Sequence, residues 1–180
     1  MNEVIRAGEE MRALRAEMIR LLVGQGWTQE RIARLSGMSQ PAVSKQVAKA
    51  KADGPTPAPE LALGQYDTPW LEGRLWGLAE EISETCRDAA RCTRAVTALA
   101  RGRLRFTPRH VDELRRLVEE DLRLNRTELP GSYQAAYDQI ARGLDVPPKS
   151  AADPAPVPGS PSARRALACR IQRDVLRADA

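Results

Sequence analysis

Two proline-rich segments divide the chain into three stretches and limit how far any regular element can run. The first contains DGPTPAPE, in which three prolines fix φ and remove backbone donors, and it predicts a linker over 53–68. The second, VPPKSAADPAPVPGSPS, is rich in Pro, Ala and Ser and offers little to bury, so it predicts a linker over 147–161. We therefore expect separate regions at 1–52, 69–146 and 162–180.

Within these regions apolar residues recur at steps of three and four, which is the spacing of amphipathic helices. Aromatic residues make up only 4% of the chain, so its cores must be built from Leu, Val, Ile and Ala. This composition favours packed helices over sheets, and we expect an all-α fold. The expected helices lie at about 2–23, 29–36, 40–51, 69–102, 108–125, 132–143 and 162–177.

The longest expected helix, 69–102, carries an apolar seam with steps of three and four. Such a seam either pairs with a second copy of the chain or packs against the helices at 108–125 and 132–143. We expect pairing, which would make the protein a homodimer. The helix at 162–177 has one apolar side and five arginines elsewhere, so it is expected to dock on its own protein or on a partner protein.

The segment 27–47 has the pattern of two short helices joined by a tight turn. Thr28 is placed to cap the first short helix, and Gly37 supplies the positive φ that the turn requires. Ser39 is a suitable cap for the second short helix, and Pro41 fits its first turn, where no amide partner is needed. Val43, on the side of the second short helix opposite Pro41, is expected to face the core.

Excess positive charge is concentrated in the same part of the chain. Residues 1–52 carry nine basic and five acidic side chains, whereas the remaining residues carry nineteen of each. Five basic residues and no acidic one lie between positions 31 and 51, and three of the four lysines of the chain are among them. Such a surface suits the phosphates of a nucleic acid, although a solvated basic helix face has the same composition.

The small, apolar and capping positions of this segment are Ile32-Ala33, Gly37-Met38, Ser39 and Val43-Ser44. With them the chain resembles the helix-turn-helix superfamily of bacterial and phage regulators over residues 27–51. The stretch 39–47 also looks like the recognition helix of LysR-type and ArsR-type regulators, but a proline-rich linker follows, so no β-hairpin wing is expected. The resemblance implies a three-helix DNA-binding domain over 1–52.

The resemblance also implies roles for individual residues of the two short helices. The second short helix would enter the major groove, where Gln40 and Ser44 would contact base edges and Lys45 would reach guanine or a phosphate. Pro41 lies on the same outward side of this helix. Phosphates would be held by Thr28, Arg31, Ser39 and Lys49.

We therefore expect a sequence-specific, homodimeric regulator of transcription that binds double-stranded DNA and acts as a repressor. Two alternatives share the same N-terminal pattern. A phage-type small terminase subunit would assemble into a ring of many copies, and an accessory of plasmid partition or recombination would recruit a partner protein through the helix at 162–177. A third alternative is a three-helix bundle that serves protein contacts alone.

No enzyme, cofactor or metal site is expected. The sequence has no Gly-rich phosphate loop and no CxxC spacing, His110 is the only histidine, and the three cysteines are expected to be reduced. No run of about 18 apolar residues and no export signal occur, so we expect a cytoplasmic, nucleoid-associated protein without membrane contact. A set of acidic residues on the helix at 108–125 is expected to be a solvated face: Asp112, Glu113, Glu119, Glu120 and Asp121.

Overall fold

The structure, a computed structural model, describes residues 2–52, 67–146 and 159–179. Every regular element in these ranges is a helix, which confirms the predicted all-α class. Most of both predicted linkers, at 53–66 and 147–158, lies outside the described residues. The α-helices are α1 Asn2–Gly24, α2 Gln29–Ser36, α3 Gln40–Ala52, α4 Thr68–Cys86, α5 Thr93–Ala100, α6 Pro108–Leu124, α7 Gly131–Asp145 and α8 Pro161–Ala178.

The first three helices contribute to one apolar cluster. Ile19 and Leu22 of α1 share it with Ile32 of α2 and Val43 of α3, and all four side chains are exposed by 1% or less. The apolar stripe that the sequence predicts along α1 therefore faces inward over the second half of that helix. Met11, earlier in the same helix, lies outside the cluster and is 51% exposed.

The single helix predicted over 69–102 is interrupted. Helix α4 ends at Cys86, a 3-10 turn follows at Arg87–Ala89, and α5 begins only at Thr93. Arg87 has a φ of 46°, a positive value outside the range of a right-handed helix, and it takes the chain out of the helical path.

A side chain from α6 stabilises this interruption. The carboxylate of Asp121 accepts hydrogen bonds from the amides of Arg91 at 2.7 Å and Cys92 at 2.9 Å, which satisfies donors that a continuous helix would have paired internally. Asp121 is fully buried, which corrects the expectation that it belongs to a solvated face. The other acidic residues of α6 are exposed or half-exposed.

The apolar seam of the interrupted helix is used inside the chain. Leu75, Leu78 and Ile82 have no exposed surface and share a second cluster with residues of α6 and α7, such as Val118 and Ile140. Of the two roles open to this seam, intramolecular packing is the one observed, and the seam is not free to pair with a second copy.

Helix α8 joins the two clusters. Leu167 and Ala168 belong to the cluster of the first three helices, whereas Leu176 belongs to the cluster of α4, α6 and α7. These three side chains are exposed by 1% or less. The apolar side of α8 therefore docks on its own chain, and this side is not open to a partner protein.

Two glycines let α8 cross α4 at very short range. A Cβ atom at Gly77 would lie 2.4 Å from the carbonyl oxygen of Cys169, and one at Gly73 would lie 2.2 Å from the carbonyl oxygen of Arg165. Side chains at these positions would overlap the backbone of α8. The two glycines are four residues apart, so they occupy one face of α4.

Polar contacts hold α8 along its length. At its start, the backbone N–H of Ser160 donates to a carboxylate oxygen of Glu17 in α1 at 2.6 Å, and the Ser160 hydroxyl donates to the other oxygen at 2.9 Å. Near its end, Arg173 and Arg177 each bond Glu81 of α4, at 2.7 and 2.9 Å. Burial lowers the pKa of Arg173, but the hydrogen bond to Glu81 and the charges of neighbouring carboxylates on α4 outweigh it, so the pKa is raised overall.

Candidate nucleic-acid interface

The start of α2 is fixed by a side-chain cap and a stacked cation. Thr28 has the extended backbone of an N-cap, and its hydroxyl oxygen accepts a hydrogen bond from the amide of Arg31 at 3.3 Å, so the predicted cap is confirmed. The Arg31 guanidinium carbon lies 3.7 Å from the ring centroid of Trp27. Stacking leaves the edges of the guanidinium free to donate hydrogen bonds to an anion.

The turn between α2 and α3 has the predicted geometry. Gly37 adopts φ 65° and ψ 23°, and the amide of Met38 donates to the carbonyl of Ala33 at 3.2 Å, a bond that closes the end of α2. Ser36, immediately before the glycine, is buried, and its hydroxyl donates to the carbonyl of Ile32 at 2.7 Å. The polar group is thereby satisfied within the core, and the angle between the two helices is set by local bonds.

Helix α3 has a buried side and an exposed side. Val43 is fully buried and Val47 is 4% exposed, and both lie in the cluster with α1 and α2. Positions on the other side of α3 carry hydrogen-bonding and charged groups on a surface free of large apolar side chains. The exposed residues at these positions are Gln40, Pro41, Ser44, Lys45, Ala48 and Lys49.

All eight residues that the sequence predicts for DNA contact are exposed. Those on α3 form two neighbouring rows, Gln40 and Ser44 in one and Pro41, Lys45 and Lys49 in the other, and within each row successive residues lie about one helical turn apart. Ser39 is exposed directly before α3, and its carbonyl accepts from the amide of Val43 at 3.0 Å. The remaining two predicted residues, Thr28 and Arg31, lie at the start of α2 and do not belong to the rows of α3.

The charges of this surface differ in how far they are already paired. Arg34 lies 3.9 Å from a carboxylate oxygen of Asp174 in α8, so part of its charge is offset. Lys45, Lys49 and Lys51 are exposed and form no ion pair with any residue of the described ranges. Three of the five basic residues between 31 and 51 thus lie on α3 without an internal counter-charge.

Helix α8 supports this surface, which sequence reasoning missed. The guanidinium of Arg170 donates to the backbone carbonyl of Leu35 at 2.9 Å, at the end of α2 where carbonyls lack helical partners. Arg34 and Asp174 add a second contact between α2 and α8. The five arginines of α8 were visible in the sequence, but their partners lie 89 to 135 positions away along the chain and only the fold identifies them.

Among the described residues, no three His, Cys, Asp or Glu side chains come together as a metal-binding group. The three cysteines are free and buried, and burial raises the pKa of each thiol. None of the helices described is both long and apolar enough to cross a membrane.

Comparison with known proteins gives no relative for this chain. Neither a family model, nor a curated protein, nor a solved structure matches it.

Proposed function

We propose that this protein is a sequence-specific regulator of transcription that binds double-stranded DNA through the outward side of α3. The observation that carries the proposal is the division of α3 into two sides: Val43 and Val47 are buried, while the opposite side presents amide, hydroxyl and ammonium groups without internal ion pairs. Donors and positive charge on one exposed helix suit the major groove and its flanking phosphates.

The proposed roles follow from position and side-chain chemistry. Gln40 pairs with the edge of an adenine through its amide, and Ser44, one turn later, reaches the next bases. Lys45 contacts guanine or a phosphate, and Lys49 contacts a phosphate. Arg31, stacked on Trp27, and the hydroxyls of Thr28 and Ser39 hold the backbone of the duplex on either side.

We further propose that two copies bind together as a repressor in the cytoplasm, associated with the nucleoid. One α3 reads only a few base pairs, so a specific site needs two copies about 34 Å apart. The seam of α4 is covered within the chain, so the pairing surface lies elsewhere. Met11 of α1 marks the candidate surface, because it is a large apolar side chain that is 51% exposed.

Selection of bound duplexes from a random pool, together with light scattering on the same sample, tests this function. A dimer that enriches an inverted repeat is the expected result. A large ring with weak sequence preference would instead indicate a terminase subunit. A monomer that binds no duplex at low salt would contradict DNA binding altogether.

Two substitutions on α3 separate base reading from phosphate contact. Gln40→Ala should cost about 1 to 3 kcal/mol on the selected site and relax the preference at one base pair. Lys49→Ala should weaken binding to all duplexes alike and reduce the slope of log K against log salt by about 1. Arg116→Ala, an exposed cation on α6, is the matched control and should change neither. Identical behaviour of the two α3 variants would refute these roles.

A further inference from the structure

A second basic surface lies away from α3, in a groove between α5 and α6. Its volume is about 1000 Å³, at the upper end of the range for sites that enclose small organic ligands. Part of its lining is apolar and half-buried, and Leu99, Phe106 and Leu117 also pack against the core of α4, α6 and α7. Leu104 lines the groove without belonging to that core.

The rest of the lining is strongly cationic. Six arginines contribute to it, against two carboxylates, Asp88 and Glu113. All six are exposed. Of the six, only Arg91 forms an ion pair with another described residue, Glu120, at 3.1 Å. The arginines are Arg87, Arg91, Arg94, Arg101, Arg103 and Arg105. So many like charges around one concave surface create a positive potential that attracts anions.

The segment that carries Arg103 and Arg105 is held in place by its own backbone hydrogen bonds. Gly102 turns the chain with φ 67°, and the amides of Arg103 and Leu104 both donate to the carbonyl of Ala98, at 2.9 and 3.2 Å. The carbonyl of Arg105 accepts from the amide of Thr107 at 2.9 Å. An internally bonded wall reduces the ordering that a ligand would otherwise have to impose.

The combination of apolar lining and cationic rim selects for one class of ligand. A phosphate backbone would use the arginines but would gain nothing from Leu99, Leu104 and Phe106. A neutral apolar molecule would leave the arginines without a counter-charge. A carboxylate on an apolar body uses both, because guanidinium groups bind carboxylates with charge-assisted hydrogen bonds while the body covers apolar surface.

We propose that this groove binds an amphipathic organic anion, an apolar molecule with a carboxylate head. The site is separate from α3, so this proposal does not depend on DNA binding. The head group lies among Arg103, Arg105 and their neighbours on the rim, and the body lies along Leu99, Leu104 and Phe106.

Titration calorimetry with three probes tests the site on the full chain. Octanoate has both features, acetate lacks the apolar body, and octyltrimethylammonium carries the opposite charge. Octanoate should bind with one site per chain, and the other two should bind at least tenfold more weakly. Equal binding of octanoate and octyltrimethylammonium would overturn the proposal, because the arginines would then play no part.

Paired variants locate the binding. Arg103→Gln with Arg105→Gln should weaken octanoate about tenfold, the effect of losing one charge-assisted hydrogen bond. Arg109→Gln with Arg116→Gln removes the same charge from exposed positions of α6 outside the groove and should leave the affinity unchanged. Leu104→Gln should weaken octanoate and leave acetate unaffected.

Two results would refute the assignment. Undiminished octanoate binding in the Arg103 and Arg105 double variant would place the ligand elsewhere. Displacement of octanoate by a short duplex, with duplex affinity lost in the same double variant, would show the groove to be a second phosphate-binding surface. Operator binding through α3 is read separately with the Gln40→Ala variant, so failure of either proposal is recognised on its own.

Discussion

The close crossing of α4 and α8 predicts an unusual response to the smallest enlargement of a side chain. Replacing glycine by alanine inside a helix ordinarily stabilises it, by about 1 kcal/mol, because alanine restricts the unfolded chain and favours the helical state. At Gly77 the new methyl group would lie 2.4 Å from the backbone oxygen of Cys169, about 1 Å closer than the 3.4 Å of an ordinary contact. We expect Gly77→Ala to destabilise the protein.

The magnitude follows from what has to move. The obstacle is helix backbone, so α8 itself must shift by about 1 Å, and a gap of that size forfeits up to about half of the dispersion energy of the affected contacts. Overpacking typically costs about 1 to 3 kcal/mol, and a rigid obstacle favours the upper end. Subtracting the helical gain leaves a net loss of about 2 kcal/mol, which lowers Tm by about 4 to 8 °C in a chain of this size.

Thermal and urea unfolding followed by circular dichroism measure this change. Gly8→Ala in α1 is the matched control, since nothing lies within 4 Å of a Cβ atom there, and it should raise stability by about 0.5 to 1 kcal/mol. The two substitutions are chemically identical, but their expected effects on the free energy of unfolding have opposite signs. A Gly77→Ala protein as stable as the parent would refute the close crossing of α4 and α8.

Three other properties follow from buried groups. Asp121→Ala should cost about 2 to 5 kcal/mol, because the amides of Arg91 and Cys92 lose their acceptor, whereas Asp112→Ala on the exposed side of α6 should cost less than about 0.5 kcal/mol; urea unfolding measures both. The buried thiols should react with a thiol reagent at neutral pH only as the chain unfolds, since burial raises their pKa; rapid labelling of the native protein would contradict this. Burial and a bond to Glu119 raise the pKa of Tyr137 from 10.0 to about 12, so stability should fall as the pH rises from about 10 to about 12, and Tyr137→Phe should remove that part of the fall.

Elements with local causes could be predicted from the sequence. Thr28 caps a helix by accepting from an amide only three residues further along the chain, and this cap appears where expected. Gly37 and the buried Val43 follow the same logic, because turn geometry and helical spacing depend on near neighbours. The exposed side of α3 could be predicted for this reason, since it is the side left over when the apolar positions face inward.

Elements with distant causes could not be predicted. The apolar steps of the region 69–102 continue through Cys86 and Cys92, and the carboxylate of Asp121 that stabilises the break between them comes from some thirty residues away. The role of α8 was equally hidden, although the spacing of Gly73 and Gly77 was a usable signal. Two glycines four apart in a helix indicate a face that another backbone approaches closely.

The contacts of α8 also determine when the first helices become covered during translation. The contact between Glu17 and Ser160 joins residues 143 positions apart, so the first helices leave the ribosome long before the element that covers them. Until that element emerges, the nascent chain displays uncovered leucines and glycine-lined backbone, features that chaperones and proteases recognise. A product cut short before α8 is therefore expected to be degraded.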